Sequence, residues 1–114
     1  MNEYFSIKEF DCPCCGKNYM KVDFLDQLTN ARIIADTPFP INSGYRCPKH
    51  NKEVGSTSQN HPQGRAADIK CANNQKRLKI LTGLIKAGFT RIEIHRTFIH
   101  VDNMPKTPFL GVKP

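Results

Sequence analysis

Three residues that lie far apart in the sequence carry side chains suited to binding zinc: His61, Asp68 and His100. Imidazole nitrogens and carboxylate oxygens are good zinc ligands, and three protein ligands with one open position form a catalytic rather than a structural site. Gly64 frees the loop after the first ligand from side-chain constraints, so the chain can fold back and bring His61 towards Asp68. Taken singly, each residue is more simply a surface, capping or strand residue, and only their joint occurrence predicts a zinc site.

The third of these residues belongs to a segment, residues 91–102, in which apolar residues recur at every second position. This period on each side of Arg96-Thr97 predicts a β-hairpin with a two-residue turn, although the turn lacks the usual Gly or Asn. Residues paired across such strands project to the same face. The apolar face, which is expected to pack against helices, carries Ile92, Ile94, Ile99 and Val101. The other face carries Glu93 opposite His100, His95 opposite Phe98, and Asp102.

Around this hairpin the sequence predicts helices and short strands that would position the ligands. Apolar residues at helical spacing predict a long helix over residues 21–35. They predict a second helix from Asn73 or Asn74 to residue 87, with Leu78, Leu81 and Ile85 on one face. Short strands are predicted at residues 39–45 and 66–71, and a short helix from Pro48. The tail from Asn103 onward is rich in proline and is predicted to be irregular.

Length and composition limit the class of protein. The chain has 114 residues, of which 39% are hydrophobic, so we expect one modest core and a single domain over residues 1–114. The predicted elements form an α+β fold, with a small antiparallel sheet and helices packed on one of its faces. No apolar run approaches the roughly 18 residues of a membrane span, so we expect no membrane insertion. Residues 1–5 lack the pattern of a secretory signal, which predicts synthesis in the cytoplasm.

Several strings of the sequence jointly resemble one family. They are Ser43-Gly44-Tyr45-Arg46, His61-Pro62-Gln63-Gly64, Ala66-Ala67-Asp68 and Phe98-Ile99-His100-Val101-Asp102. They are similar to the zinc D-alanyl-D-alanine carboxypeptidases and L-alanyl-D-glutamate endopeptidases, a family of bacterial wall enzymes and bacteriophage endolysins. The resemblance covers about residues 5–102 and implies the hedgehog/DD-peptidase fold with one catalytic Zn²⁺. It also implies a peptidoglycan stem peptide as substrate, whose peptide bonds are hydrolysed by metal-activated water.

The resemblance leaves open which residue accepts the proton of the attacking water. In the endopeptidase branch the base is a Glu three residues before the last His ligand, but that position is Thr97 here. His95, five residues before His100, is similar to the base of the carboxypeptidase branch, and we expect it to act here. Glu93 is the second candidate for the base. The alternative for His95 is a surface histidine without a catalytic role.

Other residues near these motifs are expected to contact the substrate or to support the ligands. Arg46 stands at an Arg position of the family and could pair with a substrate carboxylate or a developing oxyanion, unless it forms only a surface salt bridge. Asp102 either orients a ligand imidazole or simply ends its strand. Ser58 and Gln59 either line the substrate cleft or are solvated loop residues. His50 matches no ligand position of the family, and we expect a solvated helix residue.

The five cysteines suggest a second metal site. Cys12 and Cys15 have the Cys-x-x-Cys spacing that lets two thiolates bind one zinc. Cys47 and Cys71 each follow a predicted strand. A structural zinc held by these four residues is one interpretation, and the other is that several of the cysteines are buried free thiols.

A different function is a non-catalytic, zinc-containing module that binds nucleic acid or cell wall. The formal charge of +7 favours a polyanionic partner, but the basic residues are scattered and not interleaved with aromatic ones, so nucleic acid is the weaker hypothesis. Within the peptidase hypothesis, Thr97 in place of Glu favours a D,D-carboxypeptidase. The compact chain without a signal instead resembles an endolysin-type endopeptidase, which reaches the wall after holin-type release. We expect a monomer.

Overall fold

The computed structural model describes residues 4–113, and the predictions made for residues 1–3 and 114 lie outside the described residues. The helices are a 3₁₀ turn at Ile7–Phe10 and the α-helices α1 (Val22–Ala35), α2 (Pro48–Glu53) and α3 (Asn74–Lys86). The strands are β1 (Ile41–Ser43), β2 (Ala66–Lys70), β3 (Arg91–Ile94), β4 (Phe98–Asp102) and β5 (Phe109–Val112). The elements predicted before residue 103 are therefore present, with their ends shifted by a few residues.

The strands form one mixed sheet in the order β1-β2-β4-β3-β5. Neighbours among the first four strands are antiparallel, whereas β5 runs parallel to β3. The α+β class is confirmed, and the prediction of an antiparallel sheet is corrected to a mixed one.

The parallel strand β5 lies in the tail for which the sequence predicts irregular structure, so that prediction is wrong. Pro105 and Pro108 precede the strand and leave its backbone hydrogen bonds intact. The N–H of Phe109 donates to the carbonyl oxygen of Thr90 at 2.8 Å, and the N–H of Lys113 donates to that of Ile94 at 2.7 Å. The tail is therefore held along the outer edge of β3.

The hydrophobic core lies between the two long helices and one face of the sheet. From α1 it contains Leu25 together with apolar residues that recur at helical spacing, which are Phe24, Leu28, Ala31 and Ala35. From the sheet it contains alternate residues of the central strands, which are Ala67, Ile69, Ile92, Ile99 and Val101. Because side chains alternate along a strand, the residues between them face away from the helices.

Helix α3 turns a different face to the core than the predicted one. Of the predicted residues, Leu78 and Ile85 are exposed, and Leu81 packs against the core from a half-buried position. The buried residues of α3 are Ile80, Gly83 and Leu84. A Cβ atom at Gly83 would lie 2.3 Å from the carbonyl oxygen of Ala31, so α1 and α3 approach too closely for a larger residue. The buried face therefore includes a glycine between two apolar residues, and a search for periodic apolar side chains does not count that glycine.

The hairpin of β3 and β4 has the predicted register, with Glu93 opposite His100. The N–H of His95 donates to the carbonyl oxygen of Phe98 at 2.9 Å, which confirms the second predicted pair. Strand β2 extends the row, since Asp68 lies opposite His100 on the other side of β4. The complete row across β1, β2, β4 and β3 is Ser43, Asp68, His100 and Glu93. It lies on the sheet face away from the core.

Most buried apolar residues of the described chain belong to one core cluster, with Cys12, Tyr45 and Ala66 buried outside it. That residues 1–114 make up a single domain stays a prediction. Within residues 4–113, none of the helices combines the length and the apolar character that crossing a membrane requires.

Candidate active site

His61, Asp68 and His100 converge on the sheet face away from the core. One donor atom from each residue lies within 4.8 Å of a donor atom from each of the others. The Oδ1 atom of Asp68 is 3.0 Å from Nδ1 of His100 and 3.4 Å from Nε2 of His61. Asp68 and His100 come from paired strands, and His61 comes from the loop before β2. The structure thus brings together the residues that the sequence predicts as zinc ligands.

The loop that carries His61 folds back through Gly64. This glycine has φ +72°, and a Cβ atom on it would lie 2.0 Å from the carbonyl oxygen of Tyr19. Its own carbonyl oxygen accepts a hydrogen bond from the N–H of Lys21 at 2.9 Å. A side chain is excluded here by both backbone conformation and space, so the turn that brings His61 towards Asp68 requires glycine.

The imidazole of His61 is buried and oriented by the backbone. Its Nδ1 lies 2.7 Å from the carbonyl oxygen of Gly44. A carbonyl oxygen only accepts, so Nδ1 is the donor and the neutral ring keeps its lone pair on Nε2. That Nε2 atom is buried and has no hydrogen-bond partner among residues 4–113. A buried nitrogen with a free lone pair beside a carboxylate has the environment of a metal ligand.

His100 lies between two carboxylates. Its Nδ1 faces Asp68, and its Nε2 lies 2.9 Å from Oδ2 of Asp102. Burial alone would lower the pKa of His100, but its hydrogen bonds to Asp102 and Asp68 raise that pKa to about 9. Burial would likewise raise the pKa of Asp68, yet its contacts with His100 and His61 outweigh burial and hold the pKa well below the usual range. The cluster is therefore ionised, with a cationic imidazole between two anionic carboxylates.

Asp102 supports His100 from a fully buried position. Its Oδ2 accepts a hydrogen bond from the side-chain amide of Asn60 at 3.1 Å, and its Oδ1 accepts one from Nε of Arg91 at 2.6 Å. Burial would raise the pKa of Asp102, but the hydrogen bonds from His100 and Arg91 lower it. Of the two roles open for Asp102, these contacts favour orienting an imidazole. Asn60 and Arg91 were not singled out in the sequence, because a polar loop residue and a strand arginine carry no distinctive spacing.

Arg46 reaches the same cluster from the segment after β1. Its Nη2 lies 3.6 Å from Oδ2 of Asp68. Its Nε donates to the Ser43 hydroxyl at 3.2 Å, and its Nη1 donates to the side-chain oxygen of Asn51 at 3.4 Å. Burial lowers the pKa of the guanidinium, and the charge of Asp68 opposes that shift. Ser43, Asn51 and Asp68 thus hold Arg46 in the wall of the site. This half-buried position disfavours the alternative that Arg46 forms only a surface salt bridge.

Glu93 and His95, the two candidates for the general base, form one hydrogen-bonded pair. Nε2 of His95 lies 2.6 Å from Oε1 of Glu93. An ionised carboxylate only accepts, so Nε2 is the donor and the neutral ring carries its lone pair on Nδ1. The ring of His95 also stacks on Phe98, with centroids 4.1 Å apart and planes 12° apart. These contacts fix both the tautomer and the orientation of the imidazole.

The three predicted ligands, Arg46 and the pair of Glu93 and His95 border one cleft of about 300 Å³. Its lining residues are Arg46, Ser56, Ser58, Asn60, His61, Asp68, Glu93, His95, Phe98, His100 and Phe109. Ser58 lies in the cleft wall, and its contact with a substrate stays a prediction, whereas Gln59 is exposed and is not among the lining residues. Phe109 belongs to β5, a strand that the sequence pattern does not predict, and its place in the cleft was therefore not expected.

The donor set fits a zinc ion. Nε2 of His61, a carboxylate oxygen of Asp68 and Nδ1 of His100 are donors of the types that catalytic zinc sites use, and three protein ligands leave a position open. The ring nitrogens that do not face the site also have acceptors. Nδ1 of His61 lies against the carbonyl of Gly44, and Nε2 of His100 lies against Asp102. Metal binding would release the Nδ1 proton that now lies between Asp68 and His100.

A second group of metal-binding side chains lies outside the cleft. The thiols of Cys12, Cys15 and Cys47 are all within 4.8 Å of one another. Burial would raise the pKa of Cys12, but backbone N–H donors of the neighbouring cysteines lower it to about 7. Cys71, the predicted fourth ligand, is instead buried in the hydrophobic core. Because β1 and β2 are antiparallel, Cys47 after β1 and Cys71 after β2 lie at opposite ends of the strand pair. The predicted set of four zinc-binding cysteines is therefore corrected by the removal of Cys71.

Comparison with known proteins agrees with the resemblance seen in the sequence. The family model described as Peptidase M15 matches residues 3–102. This span covers most of the chain and contains Arg46 as well as His61, Asp68 and His100. The search of curated proteins found no match.

Proposed function

The chain belongs to the peptidase M15 family, and we propose that it is a zinc metallopeptidase that hydrolyses peptide bonds in the stem peptides of bacterial peptidoglycan. The observation that carries the proposal is the convergence of His61, Asp68 and His100 in one cleft. The same cleft contains the pair of His95 and Glu93 and the guanidinium of Arg46, for which separate catalytic roles are proposed below.

His61, Asp68 and His100 are the ligands of the catalytic zinc in this proposal. Zinc, when bound, polarises a substrate carbonyl as a Lewis acid and lowers the pKa of a water ligand to about 7. The carbonyl of Gly44 and the carboxylate of Asp102 hold the two imidazoles in place, so the ligand atoms need little rearrangement.

His95 is the proposed general base. Its neutral ring keeps a lone pair on Nδ1 while Nε2 donates to Glu93, so Nδ1 can accept the proton of the attacking water. The adjacent carboxylate of Glu93 stabilises the imidazolium that results. The proton on His95 is then available to the amine that leaves when the peptide bond breaks. Glu93 is the second candidate for the base, and single substitutions at the two positions separate these roles.

Arg46 is the proposed anchor for a negative charge on the substrate. A guanidinium in a partly desolvated cleft forms strong paired hydrogen bonds to a carboxylate. In a D,D-carboxypeptidase that partner is the C-terminal carboxylate of the stem peptide, and in an endolysin-type endopeptidase it is the developing oxyanion. Ser58 lines the same cleft and is proposed to contact the substrate.

The proposed substrate lies outside the cell membrane, so the protein acts at the cell wall in this proposal. In the endolysin form of the hypothesis, a monomer made in the cytoplasm reaches the wall after holin-type release. Expression in a bacterial host tests this form, because lysis is expected when a holin is expressed as well and not without it.

The enzymatic test is digestion of purified peptidoglycan and a synthetic stem pentapeptide by the zinc-loaded protein, with products identified by mass spectrometry. Loss of the terminal D-alanine identifies the carboxypeptidase, and cleavage within the stem identifies the endopeptidase. His61→Ala should abolish either activity, whereas Gln59→Ala, outside the cleft, should retain it. Intact substrates after incubation with protein whose zinc site is full would overturn the proposal. Retention on the wall without cleavage would indicate the non-catalytic binding module.

A further inference from the structure

Among the described residues, a second cluster of possible metal ligands lies away from the cleft. We propose that Cys12, Cys15 and Cys47 hold a second, structural zinc ion, which ties the N-terminal segment to the start of α2. All three thiols are free, and their sulfur atoms lie within 4.8 Å of one another. Zn–S bonds are about 2.3 Å long, so one ion can bridge these sulfurs after small side-chain rotations. The site is independent of the proposed peptidase activity.

The backbone between Cys12 and Cys15 forms a tight turn that suits two thiolates on one ion. The N–H of Gly16 donates to the carbonyl oxygen of Cys12 at 2.8 Å, and the N–H of Cys12 donates to that of Lys17 at 2.8 Å. Gly16 has φ +71°, a left-handed conformation that glycine adopts without strain. Backbone hydrogen bonds therefore close the turn at both ends, and the sulfur atoms of Cys12 and Cys15 lie within 4.8 Å of each other.

Backbone N–H groups already point at two of the three sulfurs. The N–H of Cys47 donates to Sγ of Cys12 at 3.4 Å, and the N–H of His50 donates to Sγ of Cys47 at 3.4 Å. Such donors stabilise the thiolate, which is the form of cysteine that binds metals. The backbone around the cluster is thus arranged for anionic sulfur.

A fourth ligand would complete the tetrahedral geometry of a structural zinc. Cys14 is the candidate, because its side chain is hydrogen-bonded to that of Cys47, but its sulfur does not lie within 4.8 Å of all three others and would have to move to bind the ion. His50 on α2 is directed elsewhere, with Nδ1 3.9 Å from Glu53.

The position of the cluster explains what a zinc ion would stabilise. The segment between β1 and α2 packs on the N-terminal 3₁₀ turn, where a Cβ atom on Gly44 would lie 2.7 Å from Cα of Phe10. The N–H of Tyr45 also donates to the carbonyl oxygen of Phe10 at 2.9 Å. The same segment supplies the carbonyl that orients His61, and it carries Arg46 next to Cys47. A metal staple here holds that segment in place in a chain with a small core.

Cobalt substitution tests the site directly. Thiolate-bound Co²⁺ shows sulfur-to-cobalt charge-transfer absorption in the near ultraviolet, which imidazole and carboxylate ligands do not produce. We expect this absorption in the cobalt-loaded wild type, in His61→Ala and in Cys71→Ser, and its loss in Cys15→Ser. Persistence of the band in Cys15→Ser, or its absence from the wild type, would overturn the proposal. Since His61→Ala removes a ligand of the other site, this result does not depend on whether the chain is a peptidase.

Alkylation of the unaltered chain gives a second test that needs no variant to fold. Cys15 is exposed, so without a bound metal its thiol is accessible to iodoacetamide. We expect Cys15 and Cys47 to be protected in the zinc-loaded protein and to react after chelation, as shown by peptide mapping. The buried thiols of Cys12 and Cys71 should react slowly in both samples. Rapid modification of Cys15 before chelation, or protection that is lost on reduction instead of chelation, would contradict a zinc site.

Discussion

Asp68 of β2 and His100 of β4 lie directly opposite each other across an antiparallel pair, with Oδ1 of the one 3.0 Å from Nδ1 of the other. Side chains paired in this way project to the same face of the sheet, so strand register alone brings these two groups together. Of the three proposed ligands only His61 comes from a loop, and Gly64 and Gly44 restrict that loop and its imidazole. The proposed ligands are therefore held by a rigid part of the fold, as a preorganised site requires.

Asp68→Asn should remove the anionic ligand while keeping the size of the side chain. We expect the affinity for zinc to fall by more than about 100-fold, which exceeds the loss typical of residues that only support a ligand. Competition with a chelating dye measures the affinity. The matched control is Asp26→Asn on the exposed side of α1, which should bind zinc like the wild type. Equal affinities in the two variants would rule out Asp68 as a ligand.

Asp102→Asn should weaken zinc binding without removing a ligand. The amide no longer provides a carboxylate for Nε2 of His100, and we expect a loss of about 10–100-fold in zinc affinity or activity. Thermal unfolding should also begin at a lower temperature, because Arg91 loses its charged partner. The control is Asp23→Asn, which removes a carboxylate from an exposed pair with Arg65 and should change stability little. Wild-type zinc affinity in Asp102→Asn would contradict an orienting role.

His95→Ala should lower kcat by about 100- to 10,000-fold, the range for loss of a general base, with zinc content unchanged. Glu93→Gln should have a smaller effect, because glutamine can still accept the hydrogen bond from Nε2 of His95. Steady-state kinetics on a stem peptide, with metal analysis of each variant, separate the two residues. If Glu93→Gln proved the more damaging change, Glu93 and not His95 would be the base.

Gly64→Ala should destabilise the protein more than Gly55→Ala. Both glycines have positive φ, and a left-handed alanine costs about 1–2 kcal/mol in either position. Only at Gly64 does the added Cβ also collide with backbone, since nothing lies within 4 Å of a Cβ on Gly55. Urea unfolding of the two variants gives the comparison. Equal losses would show that the close approach to Tyr19 relaxes at no cost.

Alternation along strands was sufficient to predict the hairpin that carries His100. The apolar residues Ile92, Ile99 and Val101 set the buried face, and the symmetry about Arg96-Thr97 sets the register. A shift of one residue would have turned every side chain to the other face, so a regular pattern leaves little freedom. This is why the pairing of Glu93 with His100 could be predicted from sequence.

Contacts between distant segments could not be predicted in the same way. The pairing of β5 with β3 is parallel and non-local, and its short run Phe109–Val112 follows two prolines. The buried face of α3 includes the close approach to α1 at Gly83, a residue that contributes no apolar side chain to the pattern. The antiparallel direction of β2 relative to β1 separates Cys47 from Cys71. This direction depends on how the whole sheet is assembled, so the sequence of either strand alone does not predict it.

Strand β5 has a practical consequence for anyone who produces this protein in shortened form. The region matched by the family model ends at residue 102, before β5 begins. A version trimmed to that region would lose Phe109 from the cleft wall and would leave the outer backbone groups of β3 without their partners. Bare strand edges of this kind recruit other chains, so the trimmed protein is expected to aggregate. The smallest unit worth expressing therefore extends at least through residue 112.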